Sequence, residues 1–409
     1  MHSLCDVIRL GTAAPALALA LCLWGAATPS FAQESPAKPP LSVFRPGEIW
    51  PDNHGRPINA HGGGILRHQG VFYWYGEHKT AGEAGNTAQV GVHAYSSKDL
   101  YNWEDEGVAL AVAPDPASEI TAGCILERPK VLFNPRTGKF VMWFHLEIKS
   151  KGYDCARSGV AVADRPAGPF RYLGSLRPNA GVWPDDLSPD QRRSLNDREK
   201  TELAKYNFTG GPADPLPFPG NLVCRRDFAQ GQMARDMTLF LDDDGQAYHI
   251  YASEENGTLQ VSQLEADYLK PRGRYCRILI GGFNEAPAMF KTEGKYYLLT
   301  SGTTGWQPNA CRSFSAPAIF GPWTSLGNPC RGTEEQNKNT FESQPACVLP
   351  APGRDGQFIF MADRWRSHNA IDGLYVWLPL RFDNGLPVLE WKQSWSLDVF
   401  NTRVADAGK

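Results

Sequence analysis

Two glutamates, an aspartate, a glutamine and a histidine stand in this chain at matching distances ahead of five glycines. His61, Glu127, Asp236, Glu285 and Gln344 precede Gly70, Gly138, Gly245, Gly294 and Gly356 by 9, 11, 9, 9 and 12 residues. Carboxyls gathered from separate segments can protonate a leaving oxygen and assist a water, which is the chemistry of glycosidic bond cleavage. Glu285 suits the acid. In Asn284-Glu-Ala-Pro-Ala-Met-Phe290 its proline and apolar neighbours partly desolvate the carboxyl and raise its pKa. Asp236, in Arg235-Asp-Met-Thr-Leu-Phe240, either orients a sugar hydroxyl or raises Glu285 further by like-charge repulsion. Glu127 is either a working carboxylate or a structural partner of the adjacent Arg128 and Lys130. The bland alternative for each is a solvated residue at the start of a strand.

Behind each glycine runs a short aromatic strand: Val71-Phe-Tyr-Trp-Tyr75, Lys139-Phe-Val-Met-Trp143, Gln246-Ala-Tyr-His-Ile-Tyr251, Lys295-Tyr-Tyr-Leu-Leu299 and Gln357-Phe-Ile-Phe-Met361. Half-exposed strands follow, as in Val90–Tyr95, Gly159–Ala163, Leu259–Ser262 and Tyr375–Leu378. Two outer edges end alike, in Gly168-Pro-Phe170 and Gly321-Pro-Trp323. Five such units predict an all-β, five-bladed β-propeller forming a single catalytic domain. Inner strands of a propeller start near one mouth of the central channel, so the five polar residues converge. Asn256, in Ser253-Glu-Glu-Asn256, is placed there to hydrogen-bond a ligand hydroxyl. Thr303 and Gly305 flank Trp306, whose indole is either a stacking wall for a pyranose or part of the core. Glu77, at the end of the first aromatic strand, joins the substrate-binding set. Carboxylates, amides and aromatics at one mouth point to carbohydrate. Sequence gives no carboxyl separation, so inversion and retention both stay open.

A hydrophobic share of 42% in 409 residues supports a sizeable core, and a net charge of −3 gives no case for nucleic acid or an anionic membrane as partner. A monomer acting on a neutral polysaccharide or oligosaccharide is expected. Residues 1–32 read as a signal peptide: Arg9, an apolar run from Ala13 to Trp24, and Ser30-Phe-Ala32 before Gln33. The mature protein is therefore expected to be secreted or periplasmic. A proline-rich flexible leader (33–44), the propeller (45–400) and a tail (401–409) follow. A Pro/Asp/Arg-rich insertion at about 178–230 breaks the rhythm, with a short helix expected around Ser188–Leu195. It either shapes the cleft from the rim or is decorative. Asn207-Phe-Thr209 would accept a glycan only in a eukaryotic secretory pathway. Seven cysteines remain after residue 32, an odd count with no metal-ligand spacing, and Cys311 with Cys330, flanking one predicted hairpin, is the favoured disulfide. Asp242-Asp-Asp-Gly245 reads as turn chemistry, with calcium the minor alternative.

Taken together, Asn59-Ala-His-Gly-Gly-Gly64, Glu127-Arg-Pro-Lys130, Arg235–Phe240, Glu285–Phe290, Ser301-Gly-Thr-Thr-Gly-Trp306 and Ser343-Gln344 resemble glycoside hydrolase family 43. The branch they most resemble is that of the exo-β-1,3-galactanases and related β-galactosidases, and the resemblance runs from about residue 45 to 398. It implies a five-bladed propeller and an inverting, exo-acting hydrolase that releases galactose from β-1,3-galactan or arabinogalactan side chains. By motif, Glu285 would be the general acid, and Asp236 and Asn256 would sit on galactose hydroxyls. Thr303, Gly305 and Trp306 would line the −1 subsite, with Glu127 a further essential carboxylate. The usual base of the wider family, an aspartate, is absent from Ala60-His61-Gly62. The galactan-active branch uses instead a glutamine matching Gln344, either as an imidic tautomer or to position water. No cofactor is required. A calcium or sodium ion, common in the channel of the wider family, would lie near His61 or His249 without a catalytic role. Rival readings are an α-L-arabinofuranosidase or β-xylosidase of the same family, and a non-catalytic glycan-binding propeller.

Overall fold

Each of the five glycines ends a tight turn with φ between +66° and +83°, a left-handed conformation that costs glycine little. The aromatic strand behind it therefore folds back antiparallel onto the strand before it. A computed structural model describes residues 40–206, 216–372 and 374–401. These form five antiparallel sheets in which successive strands are neighbours. The inner strands are His61–His68, Ile125–Asn134, Met237–Leu241, Glu285–Thr292 and Gln344–Pro350. Four sheets have four strands. The fifth gains Cys330–Arg331, which pairs parallel to Leu386–Glu390. The expected five-bladed propeller is what the chain forms. Both Gly168-Pro169 and Gly321-Pro322 are cis and lie just before outer strands, of the second and fourth blades.

The core lies between blades rather than at the axis. One apolar cluster fills each of the five blade interfaces, and the one richest in aromatic rings joins the last blade to the first. There Phe44 stacks on Trp395 at 4.2 Å, and Trp50 meets the indoles of Trp74, Trp103 and Trp377. Aromatic pairs of this kind add about 0.5–1.5 kcal/mol each to the burial of their area. The ring is closed by packing between the first and last segments of the propeller, reinforced by a backbone bridge between Phe44 and Trp395.

Inner strands carry the feature that aims the site. Their pairing slips immediately after His61, Glu127 and Glu285, and in the fifth blade between Pro345 and Cys347. The residues behind the first three, Gly62, Arg128 and Ala286, have φ of +65°, +56° and +52°. Such bulges bend a strand and re-aim the neighbouring side chain.

Several expectations need correction. The leader does not reach residue 44: Leu41 exchanges two hydrogen bonds with Asn102, and Phe44 is buried. The helix expected at Ser188–Leu195 is only a 3₁₀ turn, Pro189–Gln191. An α-helix follows at Asp197–Leu203, where Asn196 and Glu199 form a capping box. A second lies at Leu222–Arg226. Cys311 and Cys330 are free thiols, as are the other five cysteines among the described residues. Cys311 and Cys330 do flank the hairpin of Arg312–Ala316 and Thr324–Gly327, but Cys330 lies in the edge strand of the fifth blade and no disulfide joins the two. The signal-peptide segment, the Asn207-Phe-Thr209 sequon and residues 402–409 lie outside the described residues. No helix among the described residues is long and apolar enough to cross a membrane.

Phe44→Ala removes the centre of the closing cluster and should cost about 3–5 kcal/mol of stability. A lowered urea midpoint is expected; an unchanged one would show that closure does not rest on this contact.

Candidate active site

One mouth of the channel opens into a cavity of about 660 Å³. Glu77, Glu127, Asp236, Asn256, Glu285, Thr303, Gly305, Trp306 and Gln344 all line it, so every site residue expected from sequence is brought together there. His61 is not. Its ring is buried against Trp365 and Tyr375, and burial pushes its pKa down to about 3, so it is a neutral group packed behind Trp365. His249 also lies away from the cavity, against Trp143 and Tyr251, with neither ring nitrogen partnered. A hard cation prefers a cage of oxygens, which this aromatic setting does not offer.

Sequence reasoning missed the residue that organises the site. Arg128 does not pair with the Glu127 carboxylate beside it, because its left-handed backbone turns the guanidinium the other way. It donates to Gln344 Oε1 at 2.5 Å and to Pro345 O at 3.0 Å, and lies 3.1 Å from Asp236 Oδ2. Its guanidinium sits 5.3 Å from the centre of the Trp365 ring. Trp365 Nε1 donates to the same Gln344 Oε1 at 2.9 Å, and Gln344 Nε2 donates to Ser301 Oγ. Lys130 instead donates to Gly62 O.

Each carboxyl of the cavity has a different counterpart. Glu77 accepts from buried Lys79 at 2.5 Å. Glu127 accepts from His145 Nδ1 at 2.9 Å and from the Tyr153 hydroxyl at 2.8 Å, while His145 Nε2 is held by Glu147 at 2.9 Å. Burial opposes charge on both partners. The hydrogen bonds nonetheless hold Glu127 ionised, and those from Glu127 and Glu147 raise His145. Asp236 faces Arg128 and accepts from Ala286 N at 3.0 Å. Glu285 receives only the neutral amide of Asn256, at 2.9 Å. Burial, then the charge of Asp236, raises its pKa to about 8 despite Arg128. Glu285 therefore keeps its proton at neutral pH.

The remaining polar atoms face the space between. Asn256 Oδ1 and Thr303 Oγ1 are buried without a protein partner, the state of groups that take ligand hydroxyls. Trp306 stands half-exposed on the cavity wall, edge-on to Trp365 at 6.0 Å, and is not part of the core. Tyr153, Asn86, Asp154, Arg235, Glu255 and Thr304 complete the lining and carried no signal in the spacing pattern. Among the described residues, Glu127, His145 and Asp236 are the group close enough to share a metal ion. Both His145 nitrogens are already hydrogen-bonded to carboxylates, so the trio does not fit a metal site.

A protonated carboxyl beside an ionised one, in a sugar-sized polar cavity on a five-bladed propeller, defines a glycoside hydrolase. A profile of glycosyl hydrolases family 43 matches residues 215–362. The chain is 47% identical to a family 43 β-1,3-galactosidase solved with galactodeoxynojirimycin, over 86% of this chain and 100% of that one, with a TM-score of 0.79. It is 32% identical to an exo-β-1,3-galactanase from Clostridium thermocellum, over 86% of this chain and 66% of that one, with a TM-score of 0.68. A β-D-galactofuranosidase of Aspergillus niger is 25% identical over 184 residues, 40% of this chain; the chain spans about half of that relative (53%). The protein belongs to glycoside hydrolase family 43.

The proton on Glu285 has a stability signature. Below pH about 4 the side chain is protonated whether folded or not. Between its ordinary pKa of 4.5 and about 8, the unfolded chain releases a proton that the folded chain retains. Glu285→Gln should therefore gain stability over the wild type as pH rises through that window, levelling off above it. The same stability difference at pH 4 and pH 9 would show that the carboxyl titrates normally.

Proposed function

We propose that this enzyme is an exo-acting, inverting β-1,3-galactosidase that removes galactose from β-1,3-galactan or arabinogalactan-type side chains. The observation that carries the reading is the isolation of Glu285 as the protonated carboxyl, facing a glutamine held by two donors. Similarity along the whole length of a β-1,3-galactosidase supports the substrate. Glu285 protonates the glycosidic oxygen as the bond to C1 breaks, and water adds to C1 from the opposite face. Asn256 and Asp236 hold galactose hydroxyls, and Trp306 stacks on the ring. Both lone pairs of Gln344 Oε1 are engaged by Arg128 and Trp365. An imidic O–H there would have to displace one donor, so the arrangement favours the amide as a positioner of water.

Glu127 is the second essential carboxylate, kept ionised so that it stabilises developing positive charge on the sugar. No step needs a cofactor, and an ion in the channel would be structural, so turnover should survive EDTA. The segment at residues 1–32 supports export to the periplasm or medium.

Incubation with β-1,3-galactobiose should release galactose first seen by NMR as the α-anomer. Arabinose freed from arabinan, with galactobiose untouched, would overturn the substrate. Glu285→Gln should lower turnover of galactobiose by about 10²–10⁴-fold, the usual worth of a general acid. Gln344→Ala should cost about 10²-fold or more, comparable to loss of an oriented hydrogen-bonding group; near-normal activity would pass the water to another residue.

A further inference from the structure

Between the second and third strands of the third blade, the chain makes a turn with three consecutive left-handed residues, none of them glycine. Glu254, Glu255 and Asn256 have φ of +53°, +57° and +64°. This backbone is disfavoured at each position for side chains that carry a Cβ. The turn nevertheless presents Asn256 to Glu285 and Glu255 to the cavity.

The insertion holds it. Glu254, fully buried, takes two hydrogen bonds from Arg277 at 2.7 and 2.9 Å. Arg277 is itself gripped from the insertion, by Asp186 at its backbone nitrogen (2.9 Å) and guanidinium (3.3 Å) and by Gly220 O at 2.6 Å. Glu255 accepts from Arg226 at 3.0 Å on one oxygen and from Arg235 at 3.2 Å on the other. The Phe218 ring covers Gly257 so closely that a Cβ there would lie 2.1 Å from it. Among the described residues, none between 178 and 230 lines the cavity itself. The insertion reaches Asn256 through this turn, and Phe218 also meets Phe283, two residues before Glu285.

We propose that the insertion is a clamp that keeps the third-blade turn in its left-handed form, making Asp186, Phe218 and Arg226 positioning residues for Asn256 and, through it, for the proton of Glu285. This rests on the reading of Glu285 as general acid. A displaced Asn256 leaves the acid misaligned with the leaving oxygen, and misplacement by about 1 Å can cost 10²-fold in rate. The defect must grow with the need for protonation, which a general loss of stability would not produce.

The experiment compares Asp186→Asn, Phe218→Ala and Arg226→Gln with wild type on two substrates. Galactobiose has a poor leaving group, while 2,4-dinitrophenyl β-galactoside needs little acid assistance. Loss of kcat/KM on galactobiose should exceed that on the dinitrophenyl glycoside by about tenfold or more, as part of the contribution of the acid is forfeited. Phe218→Tyr and Arg226→Lys should restore the wild-type ratio. Amide exchange of the peptide spanning residues 253–258 should quicken in the three disruptive variants. Unchanged exchange, or equal losses on both substrates, would overturn the clamp. Glu285→Gln is the control: if it too loses equally on both substrates, the acid assignment fails. If it alone shows the split, the acid stands and the clamp falls.

Discussion

The site depends on buried carboxylates that accept hydrogen bonds from left-handed bulge amides of the next blade. Gly62 N donates to Asp363 of the fifth blade, Arg128 N to Glu77 of the first, and Ala286 N to Asp236 of the third. A bulge leaves an amide without its ladder partner, and an unpaired buried amide is costly. The carboxylate supplies the partner and ties two blades together at the axis. It also fixes where the preceding side chain points, because bulge and side chain share one backbone geometry. Architecture and chemistry meet in these three contacts.

The same contacts set Glu285 apart from the carboxyls around it. Glu77 has Lys79, Glu127 has His145, and Asp236 has Arg128. Glu285 has a neutral amide and lies beside Asp236. Burial penalises charge on Glu77, Glu127 and Glu285, and of these it is Glu127 whose hydrogen bonds outweigh the penalty. Glu285 has no cation bonded to it, so it retains the proton. The acid is selected by what its neighbours lack.

Much of this was legible in the sequence because the turn glycines and the aromatic strands repeat. The repeat fixes the strand starts, and strand starts fix which side chains reach the mouth. What lay on the far side of a bulge was not legible. Adjacency in Glu127-Arg128 reads as a salt bridge, yet one left-handed residue sends Arg128 to Gln344 and Asp236 instead. Cross-strand partners were hidden for a related reason. His145 lies opposite Glu127 and Asp363 opposite Gln344, pairings set by a register that the bulges shift. The two cysteines expected to pair do flank one hairpin and share one apolar cluster, yet both are thiols, which their spacing alone does not reveal.

The vacancy at His61 then has a physical account. A Cβ at Gly62 would lie 2.2 Å from Glu77 Oε1, so the first bulge has no room for a side chain. Gly62 also gives its amide to Asp363 and its carbonyl to Lys130. Asp363 is buried, and its pKa is pushed up to about 7 by that burial despite Arg128 and the Gly62 amide. A further ionised side chain at residue 61 would add like charge beside Glu77 and Asp363 without a free cation to offset it. A neutral imidazole packed on Trp365 avoids that cost and braces the indole that holds Gln344. A neutral imidazole at residue 61 and the held amide of Gln344 thus share one indole, Trp365.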